Sequence, residues 1–376
     1  MNEPLTILTE RVDDIPLLLA QMQRMGIARL LDEHFPTHGN REGLSLGEVT
    51  TIWLTPVLSE ADHRMNRVQP WAERRLETLR GCSDVTLQVR DLGDDRLANV
   101  LRHLSDEERW RAFEQELTGH LVRVYDLKPS CVRLDSTTAS SYGAVSEDGL
   151  LRLGHSKDHR PDLPQLKVML ATLDPLGMKL PTEVLSGERA DDPLYVPAIT
   201  RVRASLHTPG LLYVGDCKMA ALDTRASIQA VGDFYPCPLS AQQVSAEQLA
   251  RELAALRASR QPLIAVERTQ ADGQTRCIAQ DYEESETIMA QLEGVSCTWT
   301  ERRLLVCSQA AARAAETALR ARLGQAQTEV AELVVRRQGK SVLSDRAAVE
   351  QAVAETVAHF RVAELLTVTM GEQLTA

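Results

Sequence analysis

From about residue 12 to 127, apolar side chains recur at spacings of three and four, as in Ile15, Leu18, Leu19, Met22 and Met25 and again in Leu97, Val100, Leu101 and Leu104. That is the period of an amphipathic helix, and it predicts a helical amino-terminal domain, residues 1–127. The punctuation agrees: Gly26 closes one helix, His38-Gly39-Asn40 makes a turn, and Ser45 with Glu48 forms a capping box that opens the next. Ser105 with Glu108 repeats the device ahead of a helix carrying Trp110, Phe113, Leu117 and Leu121.

At Lys128-Pro129-Ser130 the period changes. Cys131 to Leu134 is a short β-type run ending at Asp135, and the runs Leu166 to Leu173 and Met178 to Leu185 flank the turn sequence Asp174-Pro175-Leu176-Gly177, so the pair reads as antiparallel. A helix near 193–206, a strand at Leu211 to Gly215 ending at Asp216, a helix near Leu222 to Val231 and a strand near Phe234 to Pro238 follow. The order β-β-β-α-β-α-β predicts an α/β fold with an RNase H-like mixed sheet over residues 128–240.

Beyond residue 240 the expectation is an α+β insertion domain, 241–376. It has a helix at Ala246 to Ala258, β-type segments at Pro262 to Arg268, Arg276 to Tyr282 and Ser296 to Cys307, and a helix from Gln309 to about Arg337 closed by Gly339. A second helix from Arg346 to about His359 completes a helical hairpin, and Val362 to Met370 reads as a last strand.

Charge narrows the function. The 376 residues carry 42 Lys plus Arg against 53 Asp plus Glu, net −11, and residues 1–128 carry 16 basic against 22 acidic groups. No bulk positive field is available to hold nucleic acid, so DNA binding must come from a local groove or through metal. Seven scattered cysteines with no C-x-x-C pair read as reduced thiols. No secretory pattern and no long apolar run is present, which predicts a soluble, cytoplasmic protein without membrane partners. Nucleotide-binding glycine loops and a G-x-S-x-G elbow are also missing from the sequence.

The chemistry concentrates on Asp135 and Asp216, each at the end of a short apolar strand, on strands that the element order makes neighbours. Carboxylates are hard donors suited to Mg²⁺ or Mn²⁺, and two metals roughly 4 Å apart can activate a water or a 3′-hydroxyl and stabilise the leaving oxygen of a phosphodiester. The plainer reading of each Asp is a turn-former or a helix cap. Glu188, Asp191, Asp192 and Glu247 are the nearest candidates for a further catalytic acid, but Glu188 to Asp192 lie in a loop before a helix, where acids complement the helix N-terminus. His155, Lys157 and Arg160, in a polar loop before a strand, and Lys218, two residues after Asp216, are placed to meet phosphate. Trp53, Trp71 and Trp110 read as core, as does Trp299, for which base stacking is the alternative.

Three segments sharpen this: Arg133-Leu134-Asp135-Ser136-Thr137-Thr138, the block Gly154-His155-Ser156-Lys157-Asp158-His159-Arg160-Pro161-Asp162-Leu163-Pro164-Gln165, and Tyr213-Val214-Gly215-Asp216-Cys217-Lys218-Met219. Together they resemble the DDE transposases of bacterial insertion sequences, in particular the IS-four-like group, whose catalytic domain is RNase H-like. The middle block is the most specific part, and the helical first 127 residues also look like the domain that accompanies this group. The resemblance implies Mg²⁺-dependent DNA cleavage and strand transfer at element ends, with Asp135 and Asp216 as catalytic metal ligands, transposon-end and target DNA as partners, and a homo-oligomer as a possible assembly.

The sequence departs from the group at the third acid, a Glu within Y-x-x-R-x-x-x-E-x-x-x-x-x-x-K on a late helix. None of the six tyrosines, at 125, 142, 195, 213, 235 and 282, has Arg three residues later. The expectation is a carboxy-terminally truncated transposase with little activity alone. The competing class is a non-catalytic fragment that binds transposon ends or inhibits a full-length partner. A third is a metal-dependent hydrolase of small phosphates.

Overall fold

The computed structural model describes residues 7–38, 43–83, 85–259, 262–333, 335 and 345–371. It divides into two compact units, residues 1–246 with 289–297, and residues 247–288 with 298–376.

The first unit opens with seven helices: α1 (Ile15–Arg24), α2 (Ile27–His34), α3 (Leu46–Glu60), α4 (Met65–Glu73), α5 (Leu76–Cys82), α6 (Asp94–Leu104) and α7 (Glu107–Val124). Their apolar stripes converge on one core containing Ile15, Leu30, Phe35, Leu46, Trp71, Leu97 and Phe113, as the three-and-four spacing requires. The Ser45–Glu48 capping box forms as expected, with Ser45 Oγ accepting from the Glu48 amide and the Glu48 carboxylate accepting from the Ser45 amide. The second expected box does not form. Ser105 is the last-turn cap of α6, and α7 is capped instead by Asp106, whose carboxylate accepts from the Arg109 amide. An ionised oxygen is the stronger acceptor for that donor. Gly39, Asn40 and Gly339, assigned to a turn and a helix stop, lie outside the described residues.

The sheet of this unit is mixed, in the order β3-β2-β1-β5, with β4 also paired to β2. Its strands are β1 (Cys131–Ser140), β2 (Gln165–Leu173), β3 (Met178–Lys179), β4 (Glu183–Ser186) and β5 (Leu212–Val214), and its helices are α8 (Tyr195–Leu206) and α9 (Leu222–Ala230). β2 lies antiparallel to β1, and β5 parallel to it. The expected strand 178–185 is divided into β3 and β4, with the buried Leu180 and Pro181 between them, because proline cannot donate to a ladder. The expected strand 234–238 reduces to a single parallel bridge between Phe234 and Leu212.

Inward positions run Val132, Leu134, Ser136, Thr138 on β1 and Gln165, Lys167, Met169, Ala171, Leu173 on β2. The covered face is therefore apolar at one end, where α8 contributes Ala198, Ile199 and Val202, and polar at the other. That polar end is where the candidate site forms.

The helical layer is tied to the sheet by charge. Glu114 on α7, almost fully buried, accepts from Lys179 at 2.8 Å and from Arg201 at 2.8 Å, and Arg201 also reaches Glu183 at 3.3 Å.

In the second unit, α10 (Ala246–Ser259) is followed by a sheet in the order β6-β7-β8, made by β6 (Ile264–Thr269), β7 (Thr275–Leu292) and β8 (Val295–Ser308). Arg303 grips the Glu252 carboxylate of α10 with both contacts at 2.9 Å. Trp299 is buried, with its indole N–H on Glu301 at 3.0 Å, so it serves packing. The hairpin of α11 (Gln309–Glu332) and α12 (Arg346–His359) buries Ala326, Val357 and Val362 together. Val362 to Met370 is not a strand; Val362 is buried against the hairpin instead.

Candidate active site

Asp135 is in the middle of β1, not at its end, because Ser136-Thr137-Thr138 continues the ladder with β2 as far as Ser140. What ends before Asp135 is the pairing with β5, whose last partners are Arg133 and Val214. Asp135 and Asp216 each follow the last paired residue of this parallel pair by two positions.

The two carboxylates are held differently. Asp135 occupies an outward position between Arg133 and Thr137, and its side chain is 77% exposed. The nearest cation is Lys157, whose ammonium lies 3.8 Å from Asp135 Oδ1 and donates to both the carbonyl and the hydroxyl of Ser136. Asp216 Oδ1 accepts from the Tyr195 hydroxyl at 2.7 Å and from the Lys218 amide at 2.9 Å. Burial raises the Tyr195 hydroxyl well above the ordinary phenol range, helped by the Asp216 hydrogen bond and by the charges of Asp216, Asp135 and Asp191. Three carboxylates thus act on one buried phenol.

Asp191 forms no capping hydrogen bond at the short helical turn that begins there. Its carboxylate meets the Lys167 ammonium at 2.6 Å, and Lys167 also donates to the Arg189 carbonyl. Partial burial by itself raises the Asp191 pKa, but Lys167, the Ser136 hydroxyl and Lys157 outweigh it and hold the carboxyl below its usual range. Asp192 lies 3.5 Å from Lys218, and Glu188 accepts from Ser186.

The 154–165 block is built as a clamp. Gln165 is fully buried and its amide donates to the carbonyls of His155 and Gly187, both at 3.0 Å. A Cβ on Gly154 would stand 2.5 Å from the Gly187 carbonyl oxygen, so only glycine lets these backbones approach. Buried Ser156 accepts from the Arg160 amide at 3.1 Å, and the neighbouring Lys157 is thereby directed to β1.

Of the residues picked out from sequence, the structure brings Lys157 to Asp135 and Lys218 to Asp192. Arg160 is engaged elsewhere, its guanidinium on Asp162 at 2.7 and 2.9 Å, and the His155 side chain is exposed. Tyr195, Lys167 and Ser136 were not picked out. Lys167 carried a readable signal, since a lysine at an inward position of a strand requires a buried partner.

Among the described residues, no three His, Cys, Asp or Glu side chains converge as a ready-made metal site. Asp135 and Asp216 are hard oxygen donors of the kind Mg²⁺ takes, since that ion is commonly bound through one or two carboxylates and retains waters that a phosphate displaces. No described helix is long and apolar enough to cross a membrane, and all seven cysteines are free.

No family model matches the chain, and no curated protein matches it. Among solved structures, the chain is similar to the Mos1 transposase paired-end complex with left transposon end, with 11% identity, a TM-score of 0.22, and 67% of this chain and 92% of that chain covered. It is also similar to the piggyBac transposase synaptic complex with hairpin DNA, with 10% identity, a TM-score of 0.31, and 94% and 82% of the two chains covered. A third likeness is the Mos1 mariner paired end complex with Mn, with 12% identity, a TM-score of 0.20, and coverage of 67% and 92%.

Proposed function

We propose that this chain is a DDE-type transposase of a bacterial insertion sequence, with Asp135 and Asp216 as the metal-holding pair and transposon-end DNA as substrate. The observation that carries the reading is the parallel register of β1 and β5, whose last partners, Arg133 and Val214, each stand two residues before one of the aspartates. The motif block supports it, because its Lys157 is delivered beside Asp135. Mg²⁺ or Mn²⁺ held there would activate a water or a 3′-hydroxyl and stabilise the leaving oxygen. Lys157 offsets the charge of Asp135, and Lys218, two residues after Asp216, is available to a phosphate backbone.

The second reading is a DNA-end-binding or inhibitory chain without cleavage activity. It is favoured by the missing Y-x-x-R-x-x-x-E pattern and by the lack of three converging metal donors among the described residues. A gel shift and a Mg²⁺-dependent nicking assay on duplexes carrying the terminal repeats that flank the coding sequence separate the two. Binding with weak or no nicking by the purified chain favours the second reading. Nicking that Asp135→Asn abolishes establishes the first, and neither binding nor nicking overturns both.

A further inference from the structure

On the reading of Asp216 as a metal ligand, we infer that Tyr195 is a positioning residue. With the Lys218 amide it engages one oxygen of Asp216, so that Oδ2 is the oxygen presented to a divalent cation. The Tyr195 side chain is 1% exposed, at the first turn of α8, and its hydroxyl donates to Asp216 Oδ1 at 2.7 Å. The Lys218 amide donates to the same atom at 2.9 Å. Two donors on Oδ1 use the directions in which it accepts well, and Oδ2 keeps its own. An aspartate on an open strand end otherwise samples several rotamers, and ordering it costs affinity when the cation arrives.

An independent feature fixes the ring. A Cβ at Gly215 would stand 3.1 Å from Tyr195 Cε1 and 2.7 Å from Met219 Sδ. The missing side chain is what lets the tyrosine lie against the backbone immediately before Asp216.

The test titrates Mn²⁺ alone into the full chain, without DNA, and follows bound ion by electron paramagnetic resonance. Tyr195→Phe should fold with an unchanged circular dichroism spectrum and bind Mn²⁺ about 10–100-fold more weakly, the usual cost of removing a ligand-orienting partner. Asp216→Asn separates the two levels. If it binds Mn²⁺ like the unsubstituted chain, the metal-site reading falls and the role of Tyr195 with it. If Asp216→Asn weakens binding while Tyr195→Phe does not, only the positioning role is overturned. Should Tyr195→Phe fail to fold, Gly215→Ala crowds both Met219 and the ring; loss of the tyrosine hydrogen-bond signature in ultraviolet resonance Raman spectra together with unchanged Mn²⁺ affinity overturns the inference.

Discussion

Lys167 Nζ and Asp191 Oδ1 lie 2.6 Å apart, with side chains only 6% and 16% exposed, at the polar end of a sheet face that is otherwise apolar. A pair this enclosed is costly to break, because removing one partner leaves a buried charge uncompensated. It also fastens the segment before α8 to β2, and so helps set where Tyr195 and Asp216 meet.

The pair makes stability depend on pH in a definite direction. The Asp191 carboxyl is held below its ordinary value, so the unfolded chain binds more protons than the native state as pH falls below the unfolded pKa of about 4. The stabilisation is fully present above that value and is lost as pH drops through the depressed native pKa. Urea melts between pH 2 and 6 should show a shallower slope for Asp191→Asn than for the unsubstituted chain. At pH 7 the variant should be about 3 kcal/mol less stable, since the buried Lys167 ammonium is left without a carboxylate, with the Arg189 carbonyl as an uncharged acceptor.

Glu114 joins the helical layer to the sheet through Lys179 and Arg201. Glu114→Gln keeps the shape and removes the charge, leaving Arg201 with Glu183 at 3.3 Å as its remaining ionic partner. A loss of about 3 kcal/mol is expected in denaturant unfolding. A change below about 0.5 kcal/mol would show that the junction is held by packing alone.

Gly154→Ala puts a methyl 2.5 Å from the Gly187 carbonyl oxygen and 2.9 Å from the Gln165 side-chain nitrogen. Either the clamp opens or the backbone shifts, at a cost of about 1–3 kcal/mol. Amide exchange should accelerate at Gly187 and Arg152, whose N–H groups donate across this junction, while α1 to α7 remain protected.

Asp135→Asn and Asp216→Asn should each weaken Mn²⁺ binding by at least tenfold, and each should remove any nicking activity. Asp135→Asn should leave melting nearly unchanged, because its side chain is 77% exposed and its nearest cation, Lys157, is separately held by Ser136. Wild-type Mn²⁺ affinity in either variant would remove the basis for the proposed metal site.

Much of the architecture was legible in order and type. The three-and-four spacing gave the amino-terminal helices, and the shift at Lys128 to Ser130 marked the entry to β1. Errors came where local chemistry had rivals. Ser105 and Asp106 are both eligible caps, and only the folded backbone selects the aspartate. The strand from Cys131 read as ending at Asp135, yet antiparallel pairing with β2 carries β1 on to Ser140. Val362 to Met370 had an apolar composition suited to a strand but found no strand to pair with; Val362 instead fills a gap beside α11 and α12.

By itself the sequence determined which residues are chemically available, namely two aspartates following apolar runs and a glycine-to-glutamine block rich in charge, because residue type and periodicity are local properties. Only the tertiary structure decided that Tyr195 serves Asp216, that Asp191 pairs with Lys167 instead of capping a helix, and that Lys157 reaches Asp135. Those partners are separated by 21, 24 and 22 positions, and no local pattern specifies which distant donors share a low-dielectric pocket. Strand register and helix packing bring them together, and burial makes the Tyr195–Asp216 and Lys167–Asp191 pairings the ones that matter most for stability.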